Sequence, residues 1–349
     1  MPDRDMLHWL TETDPAALAG LYREADRVRR LTVGDQVHLR GLVEISNVCA
    51  RRCAYCGLRA PNRKLTRYTM PAAEILQCAH AAAGLGYGTV VMQAGESEAL
   101  TAEWVASLVR DIKSQTPLAV TLSLGERSLD HLALWRKAGA DRYLLRFETS
   151  DRELFPRIHP PLPGGVSDRI ALLRGLRGLG YEVGSGIMIG IPGQTYASLA
   201  RDIELFRELD LDMIGVGPFL PHPETPLGAG QLLPGGCGPD QAPNSEEMVY
   251  KVLALTRLAC PEANIPSTTA LATINTVNGR ELGLARGANV VMPNLTPLRY
   301  RRHYEIYPNK ACIAEHPSDC SRCLRARIAA MGRVPGVGPG GRLREAAYV

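Results

Sequence analysis

The sequence predicts an α/β chain folded as a closed (β/α)8 TIM barrel with a short N-terminal helical extension and a C-terminal tail. Three observations carry this prediction. Eight short β-rich runs alternate with amphipathic stretches, the pattern of parallel strands joined by right-handed helical crossovers. Glycines at 86 and 139 stand in helix-to-strand joins, where a left-handed C-cap favours glycine. The 349 residues are enough for one domain of barrel size.

Taken in order, residues 1–39 read as the helical extension. Asp14 can cap a helix that opens on Pro15, and Leu18, Leu21 and Ala25 form its apolar stripe. The basic run 27–30 reads as a solvated face. Residues 40–300 read as the barrel, with strands at 42–46, 89–94, 118–124, 142–148, 182–189, 212–219, 264–271 and 289–294. Val105, Leu108, Val109 and Ile112 give one intervening helix its apolar face, and Leu199, Ile203 and Phe206 give another. The Pro- and Gly-rich stretch 221–242 reads as a long exposed loop. Residues 301–349 read as an appended tail that ends in another Pro/Gly-rich stretch, 334–341.

Composition bounds the function. The chain is 45% hydrophobic and 22% charged, the profile of a soluble globular protein. It has no apolar run of about 18 residues, so no membrane span is expected. The N-terminus lacks an apolar signal region. The net charge of +4 reads as scattered arginine without a basic block, which argues against a nucleic-acid partner. A cytoplasmic setting is expected, and in such a reducing compartment clustered cysteines serve as metal ligands rather than disulfides. Six of the nine cysteines cluster; Cys78, Cys237 and Cys260 stand alone and read as small hydrophobes.

In a barrel of this type the chemistry sits at the C-terminal ends of the strands. Those ends carry the cysteine loop after the first strand and the polar, Gly-rich turns 93–96, 123–126, 146–149, 190–194, 218–223, 268–269 and 293–296. Cys49, Cys53 and Cys56 form C-x3-C-x2-C, with Tyr55 just before the last thiol. Three thiolates can hold three irons of a [4Fe–4S] cube and leave the fourth open to a ligand. A zinc site would want a fourth ligand, and none stands at zinc-finger spacing. Cys312, Cys320 and Cys323 form a second set, which reads as the ligands of an accessory [2Fe–2S] or [4Fe–4S] cluster. The eight histidines show no ligand spacing. His222, at a strand end, is the candidate for a cavity role, and the others read as surface or loop residues.

On this motif the sequence resembles the radical S-adenosylmethionine (SAM) superfamily. The resemblance implies a radical-SAM-type barrel. It also implies a [4Fe–4S] cluster whose open iron is chelated by SAM, and reductive cleavage of SAM to methionine and a 5′-deoxyadenosyl radical. Residues 93–96, with Gly95 and Glu96, resemble the family's SAM-methionine segment, and 186–190 its glycine-bearing strand beside adenine. Tyr55 matches the aromatic near adenine, and Glu148 and Arg169 match SAM-contacting positions; a guanidinium fork suits a carboxylate.

The segments 40–49, 55–59, 119–126, 138–146, 215–223 and 288–294 further resemble the HydE family of [FeFe]-hydrogenase maturases. That resemblance implies action on a sulfur-containing, iron-bound cysteine species made by HydG, on the way to the di-iron subcluster. It implies HydG and HydF as protein partners and ferredoxin or flavodoxin as reductant. It places Ser123, Arg146, Thr268, Thr269 and Tyr304 around the substrate. Phe147 stands where the family often has His. Facing the cavity it would dry the substrate site, and facing the helices it would only pack. Related barrels such as methylornithine synthase and biotin synthase are the nearest enzyme alternatives, and an iron–sulfur carrier is the non-catalytic one. The second cysteine set argues against the first, and the absence of cysteines on strands two to eight against the second.

Overall fold

In the computed structural model, residues 3–231 and 237–342 are described. Residues 232–236 of the expected exposed loop and 343–349 of the expected tail lie outside them. The elements run α1 (Asp3–Thr11), α2 (Pro15–Val33), β1 (Gln36–Ser46), α3 (Ala72–Gly84), β2 (Thr89–Ala94), α4 (Ala102–Gln115), β3 (Ala119–Ser123) and α5 (Leu129–Ala138). They continue through β4 (Arg142–Leu144), α6 (Leu154–Ile158), α7 (Arg169–Gly178), β5 (Glu182–Ile189), α8 (Tyr196–Glu208), β6 (Met213–Pro218) and α9 (Glu246–Ala259). The last are α10 (Thr269–Ile274), α11 (Gly279–Leu284), β7 (Val290–Val291), α12 (Leu298–Arg301), α13 (Pro317–Ala330) and β8 (Val334–Pro335).

The strands are parallel in the order β6-β5-β4-β3-β2-β1-β7. Bridges Met213↔Asn264 and Pro266↔Val290 carry the sheet from β6 back to β7 through an extended segment. The curled sheet thus has the expected barrel architecture, and the helices cover its outside. Local chemistry sets the helix ends as the sequence implies. The Asp14 carboxylate accepts from Ala17 N, Pro15 starts α2, and Gly139 closes α5 at φ 111°. The first two helices pack on α8 and α9. Arg29 is not on a solvated face: it is buried and pairs with Asp26 and Asp35.

Three expected elements differ, each for a local reason. The seventh run is not a strand through residue 271, because the Thr268 hydroxyl accepts from Leu271 N and starts α10. The fourth strand ladder stops at Leu144 and resumes only as an isolated bridge to Ile187 from Glu148, which has left-handed backbone at φ 64°. The terminal Pro/Gly stretch of the appended tail adds a strand that the sequence does not predict. It opens with β8, which pairs with β1, and lies across the N-terminal mouth of the barrel. There Thr89 Oγ1 and Arg142 donate to the Pro339 carbonyl at 2.9 and 3.2 Å, and Arg40 donates to the Gly340 carbonyl at 2.8 Å.

Phe147 faces the helices. It is 1% exposed and stacks against Phe206 of α8 at 5.6 Å between ring centroids. Aromatic pairs of this kind add about 0.5–1.5 kcal/mol beyond area burial. The departure at Phe147 is therefore a packing change, and the cavity does not feel it.

Candidate active site at the C-terminal mouth

The cysteine loop leaves β1 just after an irregularity in the β1–β2 register between Glu44 and Ser46, where a bulge can re-aim the chain. Backbone hydrogen bonds tie it down on several sides: Ala50 N to Glu96 O, Ala54 N to Ile158 O and Gly57 N to Ile306 O, at 2.7, 2.8 and 3.0 Å. The Arg67 guanidinium gathers the carbonyls of Asn47, Leu58, Arg59 and Asn62. Gly95 belongs to this seat, since a Cβ there would lie 2.4 Å from the Val48 carbonyl oxygen and 2.8 Å from Cys49 Cβ.

Above the sheet is a cavity of about 260 Å³. Cys49, Cys53, Cys56, Tyr55, Gly95, Glu96, Ser123, Arg146, Glu148, Arg169 and Tyr304 all line it. The lining comes from the C-terminal ends of β1 to β6, from α7 and α10, and from the tail, which crosses the mouth with Tyr304, Ile306 and Tyr307. Thr268 and Thr269 do not line it; their neighbour Ala270 does, and the Thr268 hydroxyl is committed to capping α10.

The wall is a chain of buried charges. Arg51 bridges Glu96 at 2.5 Å and Glu126 at 2.8 Å. Glu126 also accepts from Arg169 Nε at 2.9 Å and Ser167 Oγ at 2.7 Å, and its Oε1 lies 3.0 Å from His159 Nε2. The other ring nitrogen of His159, Nδ1, lies 3.0 Å from Cys53 Sγ. Arg169 NH1 donates to the Arg146 carbonyl at 2.6 Å, and Arg146 Nε donates to Glu148 at 3.1 Å. Glu148 is one of four non-glycine residues with positive φ among those described, and such strain collects at functional sites.

The electrostatics follow from burial and pairing. Burial pushes the Cys53 thiol up to about 12 and raises Cys49 and Cys56 as well. Burial also raises Glu96, with the Glu126 amide and Arg51 opposing. Burial would raise Glu126 too, but His159, Arg169 and Ser167 together hold it well below the usual carboxylate range. Burial lowers His159, with Glu126 opposing.

Sequence reasoning missed Arg51, Glu126 and His159. Arg51 lies inside the cysteine motif and Glu126 at a strand end, so both positions were visible, but side-chain direction was not. His159 carries no spacing signal; it is completely buried, not a surface residue. His222 is the reverse case. It is buried against Gly57, its Nδ1 accepts from Glu224 N, and it is absent from the cavity wall.

The second cysteine set lines a separate pocket of about 400 Å³. Cys320 and Cys323 are three apart on α13 and share a face. Cys312 sits at φ 63°, and Arg280 donates to its sulfur at 3.2 Å. The neighbouring Cys320 thiol draws the Cys312 thiol down against burial, with Arg280 assisting. Among the described residues no three of His, Cys, Asp and Glu share one ion site. In an iron–sulfur cube each thiolate binds its own iron, so the donors need not converge. The three thiols at the mouth fit a [4Fe–4S] cluster by donor type and by their place on one cavity. Glu148, Arg146 and Arg169 supply opposite charges for a zwitterionic ligand beside it.

Residues 43–206 match the Radical SAM superfamily. The chain is 43% identical to the [FeFe] hydrogenase maturase subunit HydE of Thermotoga maritima, over 93% of this chain and 89% of that protein. The crystal structure of methylornithine synthase (PylB) superposes with a TM-score of 0.80 at 25% identity, covering 96% of this chain and 94% of the other. The [FeFe]-hydrogenase maturase HydG from Carboxydothermus hydrogenoformans shares the fold, with a TM-score of 0.76 at 16% identity over 97% and 76% of the two chains. With the cysteine loop, the barrel and the charged cavity in place, these likenesses assign the chain to the radical SAM enzymes and, among them, to the HydE family of [FeFe]-hydrogenase maturases.

Proposed function

We propose that the protein acts in assembly of the di-iron subcluster of [FeFe]-hydrogenase, using a SAM-derived radical on a sulfur-containing, iron-bound cysteine species supplied by HydG. The observation that carries this is the joining of three thiols, a strained Glu148 and two guanidinium groups on one cavity roofed by the tail. When bound, the [4Fe–4S] cluster and SAM supply one-electron cleavage and a 5′-deoxyadenosyl radical.

The chain's own residues do the rest. Cys49, Cys53 and Cys56 hold the cluster. Tyr55, Gly95, Glu96, Glu148 and Arg169 hold SAM. Arg146 and Ser123 orient the carboxylate and amine of the substrate, and Tyr304 closes the cavity over it. Thr268 stands beside Gly217 of this wall, and Thr269 lies next to it in the chain, ahead of Ala270. Exclusion of water protects a primary carbon radical from side reactions. Cys312, Cys320 and Cys323 hold an accessory [2Fe–2S] or [4Fe–4S] cluster with no part in the cleavage. HydG and HydF are the protein partners, a ferredoxin or flavodoxin is the reductant, and the setting is the cytoplasm. Among the described residues no helix is long and apolar enough to cross a membrane.

The test is anaerobic reconstitution, addition of SAM and dithionite, and assay of 5′-deoxyadenosine, without and with the product of HydG. Product formation that the HydG product accelerates is expected. No 5′-deoxyadenosine from a fully loaded cluster sinks the reading and favours an iron–sulfur carrier.

A further inference from the structure

The outer face of the cysteine loop carries charge that the cavity does not use. Between Ile45 and Ala73 the chain has five arginines, one lysine and no Asp or Glu. The whole chain is +4, so the remainder is net −2. The positive charge is therefore concentrated on the metal-binding loop, not scattered as composition suggests.

Two of these arginines turn inward, Arg51 to Glu96 and Glu126, and Arg67 to backbone carbonyls. Arg52 and Arg63 face solvent, and Arg59 is half-buried between the loop segments. Ala60 N donates to the Arg51 carbonyl at 2.8 Å and Arg59 to the Arg52 carbonyl at 3.3 Å, so 51–52 and 59–60 run side by side. Lys64 is neutralised by Glu224 at 2.7 Å. Among the described residues no carboxylate pairs with Arg52 or Arg63. Placing like charges together works against folding, and a face that keeps them unpaired points to an acidic partner.

The candidate cluster ligands belong to the same loop: Arg52 is the residue before Cys53, and Ala50 and Arg52, between the first two thiols, are exposed. The exposed residues of this loop include no aromatic on which a nucleic-acid base could stack.

We propose that this face is the docking surface of an acidic one-electron carrier protein that reduces the protein for SAM cleavage, an inference that rests on the radical SAM reading of the cavity. The balance is one electron per SAM: the carrier is oxidised by one electron, the S–C5′ bond breaks, methionine keeps the sulfur lone pair, and the unpaired electron stays on C5′. Redox encounters of this kind use small interfaces, below roughly 1,200 Å². They depend on steering, which raises association by about 10- to 1,000-fold and fades with salt.

The test compares two reductants on the reconstituted holoprotein with SAM: a reduced acidic flavodoxin and photoreduced 5-deazaflavin. In the parent protein the flavodoxin-driven rate should fall about tenfold or more as salt rises from low to high ionic strength. The R52E/R63E variant should lose about tenfold or more of that rate at low salt, with a flattened salt dependence. Its deazaflavin-driven rate should stay within about twofold of the parent. An unchanged flavodoxin-driven rate, or equal loss with both reductants, overturns the proposal. Titration of 15N-labelled flavodoxin with both holoproteins provides a readout independent of turnover. Shifts confined to an acidic face, present with the parent and lost with the variant, support the docking surface, and identical shifts with both overturn it. Absence of product with deazaflavin in the parent defeats the radical SAM reading instead, and the titration still judges the docking surface.

Discussion

Cys53 Sγ and His159 Nδ1 are 3.0 Å apart, and the opposite nitrogen of the same ring is 3.0 Å from Glu126. A cluster-ligand candidate is thereby connected, through one buried ring, to the carboxylate that holds Arg169 and Arg51. His159→Phe keeps bulk but removes the polar contacts to Cys53, Glu126 and Arg169. Hydrogen bonds to charged groups are worth about 1.5–3 kcal/mol, so SAM affinity of the loaded protein should fall about 10- to 100-fold. Iron content should stay near three-quarters or more of the parent's. SAM titration followed by EPR of the reduced cluster reads this directly, and an unchanged affinity would falsify the role of the ring.

The two cysteine sets should separate cleanly. Cys53→Ala removes a ligand at the mouth and should abolish 5′-deoxyadenosine formation. Cys320→Ala alters a different pocket and should leave the rate within about twofold. Iron analysis alongside the assay shows which set has lost metal. Loss of cleavage in the Cys320 variant would mean that the second set is not accessory.

The tail is fastened over the cavity by Lys310, whose ammonium meets Glu44 at 2.5 Å and also donates to the Tyr304 carbonyl. Both side chains are almost fully buried. Removing one partner of such a pair costs about 3–5 kcal/mol, because the other charge is stranded. Lys310→Met should lower the thermal midpoint by several degrees and raise the KM for SAM, since Tyr304 and Tyr307 lose their anchor. Lys310→Met with Glu44→Gln should recover part of the thermal loss. If the double variant is no better than the single one, the pair is not coupled as the geometry requires.

Asp202 gives a pH signature. Burial raises its carboxyl to about 7, with Ser150 opposing, although it also accepts from Gln194 beneath the turn after β5. A raised carboxyl pKa means the folded state holds the proton more tightly than the unfolded chain. The stabilisation is complete below about 4 and lost as pH climbs through about 7. Asp202→Asn should flatten the urea midpoint between pH 4 and 7 relative to the parent, measured as a pH series. A parent curve with no decline attributable to residue 202 would contradict this.

The barrel was legible because burial on both faces and helical crossovers leave a repeated pattern in the chain. The caps at Asp14 and Gly139 were legible because they depend on one residue each. Elements failed where a single side chain competed with the ladder. The Thr268 hydroxyl diverted a strand into a helix, and the fourth ladder broke after Leu144, leaving Glu148 paired with β5 only by an isolated bridge to Ile187. What the Pro/Gly stretch at 334–341 packs on was not legible, because its partners, Thr89, Arg40 and Arg142, are far away in the chain.

By itself the sequence determined the three-thiol loop and the strand ends beside it, which follow from residue type at short spacing that folding does not alter. The radical SAM assignment came from the likeness of the chain to that family, not from spacing. Tertiary structure alone decided which side chains face inward. It turned Phe147 onto Phe206, buried His159 against Cys53, withdrew Thr268 and Thr269 from the cavity, and left Arg52 and Arg63 of the cysteine loop exposed. The reason is physical: a strand end or loop fixes where a residue stands. Only the neighbours brought by the rest of the barrel fix where its charge or ring can be satisfied.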